Sequence, residues 1–137
     1  MRRNEKITSI MTADPLTVQV GQPLSEVQNL CDEHGFHHVP VCEGRKLVGI
    51  LSSTDLLKVS YTYGEDVRTV KAVLDDTVTT QQLMNDPISL STEATVRDAV
   101  TVLAPGRFHC VPVVDDEGDL AGIVTTTDIL KYVEKQY

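Results

Sequence analysis

The pattern of hydrophobic and polar positions predicts one set of secondary-structure elements that occurs twice along the chain. Each copy starts with a short run that alternates apolar and small polar residues, which is typical of a strand. An apolar face at helical spacing follows and predicts a helix. Two apolar runs joined by a turn of glycine and acidic residues predict a hairpin, and a second helix completes the copy. The predicted unit is therefore strand–helix–strand–strand–helix, in a mixed α/β (α+β) fold.

The two copies have these elements at corresponding positions. In the first copy the predicted strands cover residues 16–18, 38–42 and 46–51, and the second helix covers about 54–59. In the second copy the predicted strands cover residues 88–90, 110–114 and 119–124, and the second helix covers about 127–135. The first helix of each copy lies between its first and second strands, and Pro23 suits the first turn of the one in the first copy. The predicted apolar faces of the first helix in each copy are Leu24, Val27, Leu30 and Cys31, and Val96, Ala99, Val100 and Leu103. We expect Gly35 and Pro105-Gly106 to end these helices.

Similarity between individual residues supports the duplication. Gly-Phe-His-His-Val-Pro-Val at 35–41 returns as Arg-Phe-His-Cys-Val-Pro-Val at 107–113. Leu-Val-Gly-Ile-Leu-Ser-Ser-Thr-Asp at 47–55 returns as Leu-Ala-Gly-Ile-Val-Thr-Thr-Thr-Asp at 120–128. An ordered repeat of this length indicates two copies of one structural unit. Because units of roughly 60 residues are marginally stable alone, we expect them to pack face to face as one cooperative domain.

The copies also define the expected domain organisation. We assign residues 1–62 to the first repeat and residues 80–137 to the second repeat. Residues 63–79 have apolar side chains at helical spacing, which predicts a packed linker helix between the repeats. A contact between two copies of the chain is an alternative use of that apolar stripe.

Composition narrows the classes of function. The chain has 137 residues, of which 41% are hydrophobic, so it can form one compact core. A formal net charge of −8 disfavours nucleic acid as a partner, since phosphate binding needs clustered lysine and arginine. No stretch approaches roughly 18 consecutive apolar residues, and the first residues are too polar for a signal peptide. We therefore expect a cytoplasmic protein without a nucleic-acid or membrane partner.

The three cysteines lack the spacing of a metal site. Cys31 lies on the apolar face of a predicted helix, and Cys42 and Cys110 lie in predicted strands. We interpret all three as reduced thiols that pack in the core. No metal site is expected.

The strongest local signal is Gly-Ile-[Leu/Val]-[Ser/Thr]-x-x-Asp, at 49–55 and 122–128. In one interpretation the hydroxyl of Ser52 or Thr125 caps the following helix, and the aspartate three residues later completes a capping box. In the other, the helix start binds a phosphate through backbone N–H groups, positive potential and hydroxyl groups. The aspartate would then accept hydrogen bonds from a vicinal diol such as that of ribose.

Histidines precede the Val-Pro-Val strand in both copies. His37 and His109 are at equivalent positions, whereas His38 corresponds to Cys110. A histidine at a strand end is usually packed or solvated, but two at equivalent places are also suited to face a cleft. Because a histidine near a phosphate gains charge more readily, we hypothesise that ligand binding depends on pH.

Catalysis is not expected from these residues. The histidines and aspartates recur as symmetric pairs rather than as one set of nucleophile, base and orienting group. The sequence also lacks G-x-S-x-G, Walker A and G-x-G-x-x-G motifs.

Taken together, these residues resemble the CBS-domain family, which is named after cystathionine β-synthase. The matching features are a segment ending in Asp-Pro at 10–15 and 83–87, the Val-Pro-Val strand, and the Gly-Ile-x-[Ser/Thr]-x-x-Asp block. All of them occur in order, twice, between about residues 7 and 133. The chain is similar to a stand-alone pair of CBS repeats, also called a Bateman module.

The resemblance implies tandem β-α-β-β-α repeats packed with pseudo-two-fold symmetry, two clefts between them, and a homodimer. In members that bind adenosine compounds, the aspartate holds ribose, the hydroxyl and strand-start residues hold phosphate, and apolar residues near the first strand contact adenine. Carried over to this chain, one cleft would use Ser52, Thr54, Asp55, His37, His38 and Ile88. The other cleft would use Thr125, Thr127, Asp128, His109 and Leu16.

The chain departs from the family pattern at the phosphate end of these clefts. Many phosphate-binding members have arginine or lysine just before Val-Pro-Val, where this chain has His37-His38 and His109-Cys110. Tight binding of a triphosphate is therefore not expected, least of all in the second cleft. If only one cleft is occupied, we expect it to be the one with Asp55.

The sequence thus favours a non-enzymatic regulatory module that requires no cofactor and binds AMP, ADP, ATP or S-adenosylmethionine as a regulatory ligand. A ligand-free dimeric scaffold that interacts with another protein is the first alternative. A small nucleotide hydrolase that depends on Asp55 or Asp128 is the second.

Overall fold

The computed structural model describes residues 4–35, 37–54 and 88–137. Asp55 lies outside the described residues, as does the predicted linker helix over 63–79. The predicted helix over 54–59 lies outside them except for its first residue.

Apart from a 3-10 helix and β1, which the sequence did not predict, the described elements follow the predicted order. They are a 3-10 helix at Ile7–Ser9, β1 at Thr12–Ala13, β2 at Val18–Gln19, α1 at Leu24–His34, β3 at His38–Glu43, β4 at Lys46–Ser52, β5 at Leu90–Ser91, α2 at Val96–Leu103, β6 at Cys110–Val114, β7 at Leu120–Thr125 and α3 at Thr126–Gln136. The prediction of a mixed α/β fold is confirmed. The observed strands and helices differ from the predicted ones by one or two residues at most ends.

The strands form two sheets, and each sheet contains the hairpin of one repeat. The first sheet has the order β2-β3-β4, and β2 is parallel to β3. The second has the order β1-β7-β6-β5, in which β5 is parallel to β6 and the other pairs are antiparallel. In both sheets the predicted hairpin forms two of the strands, and the short first strand of the repeat lies beside the hairpin in parallel orientation. A parallel neighbour needs a crossover connection, which α1 and α2 provide.

The chain divides into two compact units. The first-repeat unit contains the described residues of 16–44 and 48–54. The second-repeat unit contains the described residues of 4–15, 45–47 and 88–137. Residues 4–15, which precede the first repeat's β2, therefore pack with the second repeat. We call residues 4–15 the leading segment.

Backbone hydrogen bonds hold the leading segment in the second-repeat unit. β1 pairs with β7, with Thr12 opposite Ile123 and Ala13 opposite Gly122. The Ile7 N–H donates to the Ala94 carbonyl over 2.9 Å. The Ile7 side chain is fully buried in a core whose other members are Ala99, Leu103, Val111, Val113 and Val124. The segment thus contributes both a strand and a core side chain.

Gly122 allows this close approach. A Cβ atom at Gly122 would lie 2.7 Å from both the Met11 sulfur and the Thr12 carbonyl oxygen. Real Cβ atoms do not come that close to other atoms, since packed interiors leave no room for such overlap. The glycine of the Gly-Ile-Val-Thr block therefore has a steric role in the pairing of β1 with β7.

The first helix of each copy buries most of its predicted apolar face. In α1, Leu24, Val27 and Cys31 are buried, and Leu30 packs against the same core. Gly35 ends this helix in the left-handed conformation with φ of 67°, as expected. In the first copy the sequence pattern and the packing agree.

The prediction for Val100 is wrong. Val96, Ala99 and Leu103 of α2 are buried, but the Val100 side chain is 40% exposed. Val102 packs against the core from the other edge of the helix. The helix therefore contacts the sheet through a stripe rotated away from Val100, although helical spacing allows both positions on a broad apolar face.

Candidate ligand site at the helix starts

The junction between β7 and α3 forms a complete capping box. The Thr125 N–H donates to Asp128 Oδ2 over 2.9 Å. In return the Asp128 N–H donates to Thr125 Oγ1 over 3.1 Å. The structural interpretation of this motif is therefore confirmed in the second repeat. One carboxylate oxygen of Asp128 is used by the cap, so the other is the one suited to a ligand.

His109 is hydrogen-bonded through its backbone to the same helix start. The Thr126 N–H donates to the His109 carbonyl over 3.0 Å. The Thr126 hydroxyl donates to the same carbonyl over 3.3 Å. These bonds place the strand-start backbone next to the helix-start residue Thr126. The ligand role of the His109 side chain remains a prediction. The sequence did not single out Thr126, although its position between Thr125 and Thr127 made it a candidate.

The first repeat has the equivalent backbone hydrogen bond. The Ser53 N–H donates to the His37 carbonyl over 2.9 Å. Ser53 and Thr126 occupy corresponding positions of the two motifs, as do His37 and His109. The two repeats therefore join strand start and helix start in the same way. Ser52 is half-buried and Thr54 is exposed, whereas Asp55 lies outside the described residues.

Few backbone donors remain available at the start of α3. The N–H groups of Thr126 and Asp128 are used by His109 and Thr125. The first turn of α3 has three N–H groups, those of Thr126, Thr127 and Asp128. Among these described residues, Thr127 is the one whose N–H forms no hydrogen bond. The Thr127 residue is exposed. A bound anion would therefore meet one backbone donor and the Thr127 hydroxyl, in the positive potential of a helix start.

The strand-start side chains differ in exposure between the copies. His37 and His109 are exposed and His38 is half-buried, whereas Cys110 is only 7% exposed. Burial raises the pKa of the Cys110 thiol to about 11, so this side chain stays neutral near pH 7. The second repeat thus has one imidazole side chain at this strand start, where the first has two.

All three cysteines are buried and form no disulfide. Burial raises the pKa of the Cys31 thiol, and the nearby Asp32 carboxylate raises it further. This agrees with the prediction of reduced packing residues. The described part of the chain has no group of three or more histidine, cysteine or acidic side chains placed to hold a metal ion.

The two predicted adenine-contacting residues are accessible. Leu16 is 45% exposed and Ile88 is 50% exposed. Leu16 belongs to the first-repeat unit and Ile88 to the second-repeat unit. Their contact with a ligand remains a prediction. Among the described helices, none has the length and apolar character that crossing a membrane requires.

The chain is similar to known proteins in sequence and in fold. An inosine-5'-monophosphate dehydrogenase of Bifidobacterium longum is 33% identical over 122 residues, which are 88% of this chain and 21% of that protein. The chain therefore spans about a fifth of the length of this relative. CBSX2 from Arabidopsis thaliana, solved in complex with AMP, has a TM-score of 0.81 at 23% identity and covers 96% of this chain and 98% of its own.

A second solved structure is the CBS domain pair of protein MJ0100 in complex with 5'-methylthioadenosine and S-adenosyl-L-methionine. It has a TM-score of 0.73 at 24% identity, with 96% of this chain and 98% of its own chain covered. The sequence profile of the CBS domain matches residues 7–61 and 80–135, most of both repeats. The chain belongs to the CBS-domain family.

Proposed function

We propose that this chain is a regulatory module that binds an adenosine-containing ligand at the helix starts of its repeats. The observation that carries the proposal is the paired backbone bond, Ser53 to His37 and Thr126 to His109. It builds the same group of histidine and hydroxyl residues twice. The solved relatives with AMP, 5'-methylthioadenosine and S-adenosylmethionine support this ligand class.

In the second repeat the proposed roles are those that the family resemblance assigns. Asp128 binds the ribose diol through the carboxylate oxygen that the cap does not use. Thr127 donates to phosphate from its backbone and hydroxyl, and Thr125 holds the helix start in place. His109 adds a donor at the phosphate end, and Leu16 contacts adenine.

In the first repeat the corresponding residues have the same roles. Ser52 and Thr54 hold phosphate, Asp55 binds ribose, and Ile88 contacts adenine. His37 and His38 supply two side chains at the phosphate end, which favours this site over the second one for a phosphorylated ligand.

The module acts by a shift between conformations rather than by catalysis. A ligand shifts such an equilibrium only by binding one state more tightly than the other. We propose that the protein works in the cytoplasm as a homodimer and reports ligand occupancy to a partner protein. Incubation with ATP, followed by chromatography of the nucleotides, is expected to show no turnover.

Calorimetric titration of the Asp128→Asn variant tests the ligand role. AMP and S-adenosylmethionine are expected to bind the unaltered chain. Asp128→Asn is expected to lower the affinity of the second site by about tenfold or more, because a charged acceptor to the ribose hydroxyls is lost.

Asp98→Asn is the matched control for this titration. Asp98 forms a second capping box with Thr95, with N–H to oxygen distances of 2.8 and 3.3 Å at the start of α2. The free energy of unfolding should fall by a similar amount in the two variants, about 0.5–2 kcal/mol, because each loses one helix cap. Equal affinities in both variants would contradict the ribose role of Asp128. No binding of any adenosine compound to the unaltered chain would contradict the proposed function.

A ligand-free scaffold is the second candidate function. Leu130 of α3 is 63% exposed and Val100 of α2 is 40% exposed. Exposed apolar side chains on helices are suited to contacts with another protein. Absence of binding in the titration, together with a stable complex with a partner protein, would favour this function.

A further inference from the structure

The second repeat has a surface that fits the leading segment. The Glu5 carbonyl accepts a hydrogen bond from the Val96 N–H over 2.8 Å. The Lys6 ammonium lies 2.9 Å from a carboxylate oxygen of Glu93. With the pairing of β1 to β7 and the burial of Ile7, these contacts extend along most of the segment. The surface is therefore specific for this one sequence.

The chain leaves this surface through a strained bend at Asp14. Its φ is 48°, and among the described residues Asp14 is the one other than glycine with a positive φ. This left-handed region is unfavourable for a residue with a Cβ atom. The next residue is Pro15, and a residue before proline favours extended backbone. Packing of the segment on its own chain therefore costs backbone strain at Asp14.

The bend belongs to a short connection between the two units. Four residues, 14–17, join β1 to β2, and the boundary between the units follows Pro15. Short connections under strain favour the exchange of a segment between two copies of a protein. An extended Asp14 removes the strain and carries the leading segment away from its own second repeat. The same surface on a second copy then offers the segment the same contacts.

We propose that two copies of this chain exchange their leading segments and thereby form a dimer. Each copy gives its segment to the second repeat of the other, so the contact closes with two-fold symmetry. The contacts of each segment are retained, while the strain at both Asp14 residues is released. Association costs translational and rotational freedom, so the dimer forms as concentration rises. The inference does not rest on the proposed ligand, because the exchanged contacts lie within the protein.

The exchange makes a groove beside Asp128 a shared feature of the two copies. The groove has a volume of about 340 Å³ and lies between α3 and the leading segment, which contributes Glu5 and Ile10. In the exchanged dimer, these two residues of the groove come from the partner subunit. The surroundings of Asp128 are therefore complete only when both copies are present.

A disulfide between β1 and β7 reports which chain supplies the segment. Thr12 lies opposite Ile123, and opposite residues of antiparallel strands have Cα atoms about 4.5–5.5 Å apart, which suits a disulfide. We expect oxidised Thr12→Cys/Ile123→Cys protein to migrate as a covalent dimer on a denaturing gel without reductant. Ser91→Cys/Val114→Cys is the matched control. It joins β5 to β6, both outside the leading segment, and should remain a single chain.

Two further precautions make the gel specific for exchange. Thiols are alkylated as the protein is denatured, so that the buried native cysteines do not form cross-links afterwards. Thr12→Cys alone should remain a single chain, which excludes a disulfide between two copies of residue 12.

Substitutions at Asp14 test whether strain drives the exchange. Asp14→Gly removes the Cβ atom and tolerates a positive φ, so the dissociation constant of the dimer is expected to rise by about tenfold or more, since the dimer contains two such bends. Asp14→Val adds a β-branched side chain that is unfavourable at positive φ, so it is expected to lower the same constant. Sedimentation equilibrium over a range of concentrations, after incubation that allows exchange, measures both constants.

Three results would overturn the inference. They are a chain that is monomeric at all concentrations, a dimer in which the disulfide between residues 12 and 123 stays within one chain, and equal dissociation constants for the two Asp14 variants. The second result leaves the proposed homodimer intact. Calorimetric titration of the unaltered chain with AMP tests the proposed ligand separately, and its failure would not affect the exchange.

Discussion

Two aspartates of this chain have the same structural role and, in our proposal, different functions. Asp98 and Asp128 each close a capping box with a threonine three residues earlier. Asp98 is exposed, whereas Asp128 is half-buried beside the groove of the second-repeat unit. A Thr-x-x-Asp pattern therefore does not distinguish a cap from a ligand residue. The surroundings of the carboxylate make that distinction.

Gly118 and Gly122 are required for different structural reasons. Gly118 has a positive φ of 83° with open space around the position of a Cβ, whereas Gly122 has no room for one. We expect Gly118→Ala to lower the free energy of unfolding by about 1 kcal/mol through backbone strain. Gly122→Ala is expected to lower the free energy of unfolding by about 1–3 kcal/mol or more, since the added Cβ atom would overlap the backbone of β1.

Urea unfolding of the two glycine variants measures this difference. Adding Met11→Ala to Gly122→Ala should recover part of the lost stability, because one of the two clashing atoms is the Met11 sulfur. A Gly122→Ala protein as stable as the unaltered chain would contradict the steric role of Gly122.

The buried Cys110 thiol predicts a change of stability at alkaline pH. Its pKa is raised from 9.0 to about 11 by burial. The unfolded chain therefore loses this proton at lower pH than the folded chain. The free energy of unfolding should be unaffected by this group below pH 9 and should fall as the pH rises toward 11, by up to about 1.4 kcal/mol for each pH unit.

Cys110→Ala isolates the contribution of this thiol. Urea unfolding at several values from about pH 8 to about pH 11 should give a less steep decrease for the variant than for the unaltered chain. Tyrosine and lysine titrations are common to both proteins and cancel in the comparison. Identical slopes would show that the Cys110 thiol does not stay protonated in the folded state.

At the scale of elements, local signals predicted most of what is observed. The left-handed Gly35 ends α1, and the turn at Gly118 joins the two strands of the second hairpin. The Gly-Ile-Val-Thr-x-x-Asp block lies at a strand-to-helix junction with its cap formed. Each of these features depends on residues that are close together in sequence. A short stretch of sequence is therefore enough to predict it.

Features that depend on distant residues were not predicted. β1 has only two residues, and its strand conformation comes from pairing with β7 more than a hundred residues later. The exposure of Val100 depends on the rotation of α2 against its sheet, which helical spacing does not specify. For the site, the sequence named Thr125, Asp128 and His109 together, but it did not reveal the groove, because Glu5 and Ile10 come from the leading segment.

At the scale of the whole molecule, the sequence repeats and the compact units have different boundaries. The leading segment precedes the first repeat's β2 and packs with residues 88–137. The second-repeat unit therefore depends on chain that is distant in sequence. The backbone passes directly from the leading segment, in the second-repeat unit, to residue 16 of the first-repeat unit. This connection is additional to the chain between the two repeats.

The stability of a fragment tests this dependence. A fragment of residues 88–137 lacks β1 and Ile7, so its circular dichroism is expected to show little of the helix content of α2 and α3. Addition of a peptide of residues 4–15 should restore helix content in a concentration-dependent way, by mass action. The same peptide with Ile7→Ala is the control, since loss of a buried isoleucine typically costs about 2–5 kcal/mol. A fully folded fragment without the peptide would contradict the dependence.

The position of the leading segment also has a consequence for protein synthesis. Residues 4–15 are translated more than a hundred residues before β7, their partner strand. The segment must therefore remain unpaired while more than a hundred residues are translated, about ten seconds at typical elongation rates. During that interval its apolar residues are available to chaperones or to neighbouring nascent chains. The leading segment thus completes its fold only after its distant partner strand has been translated.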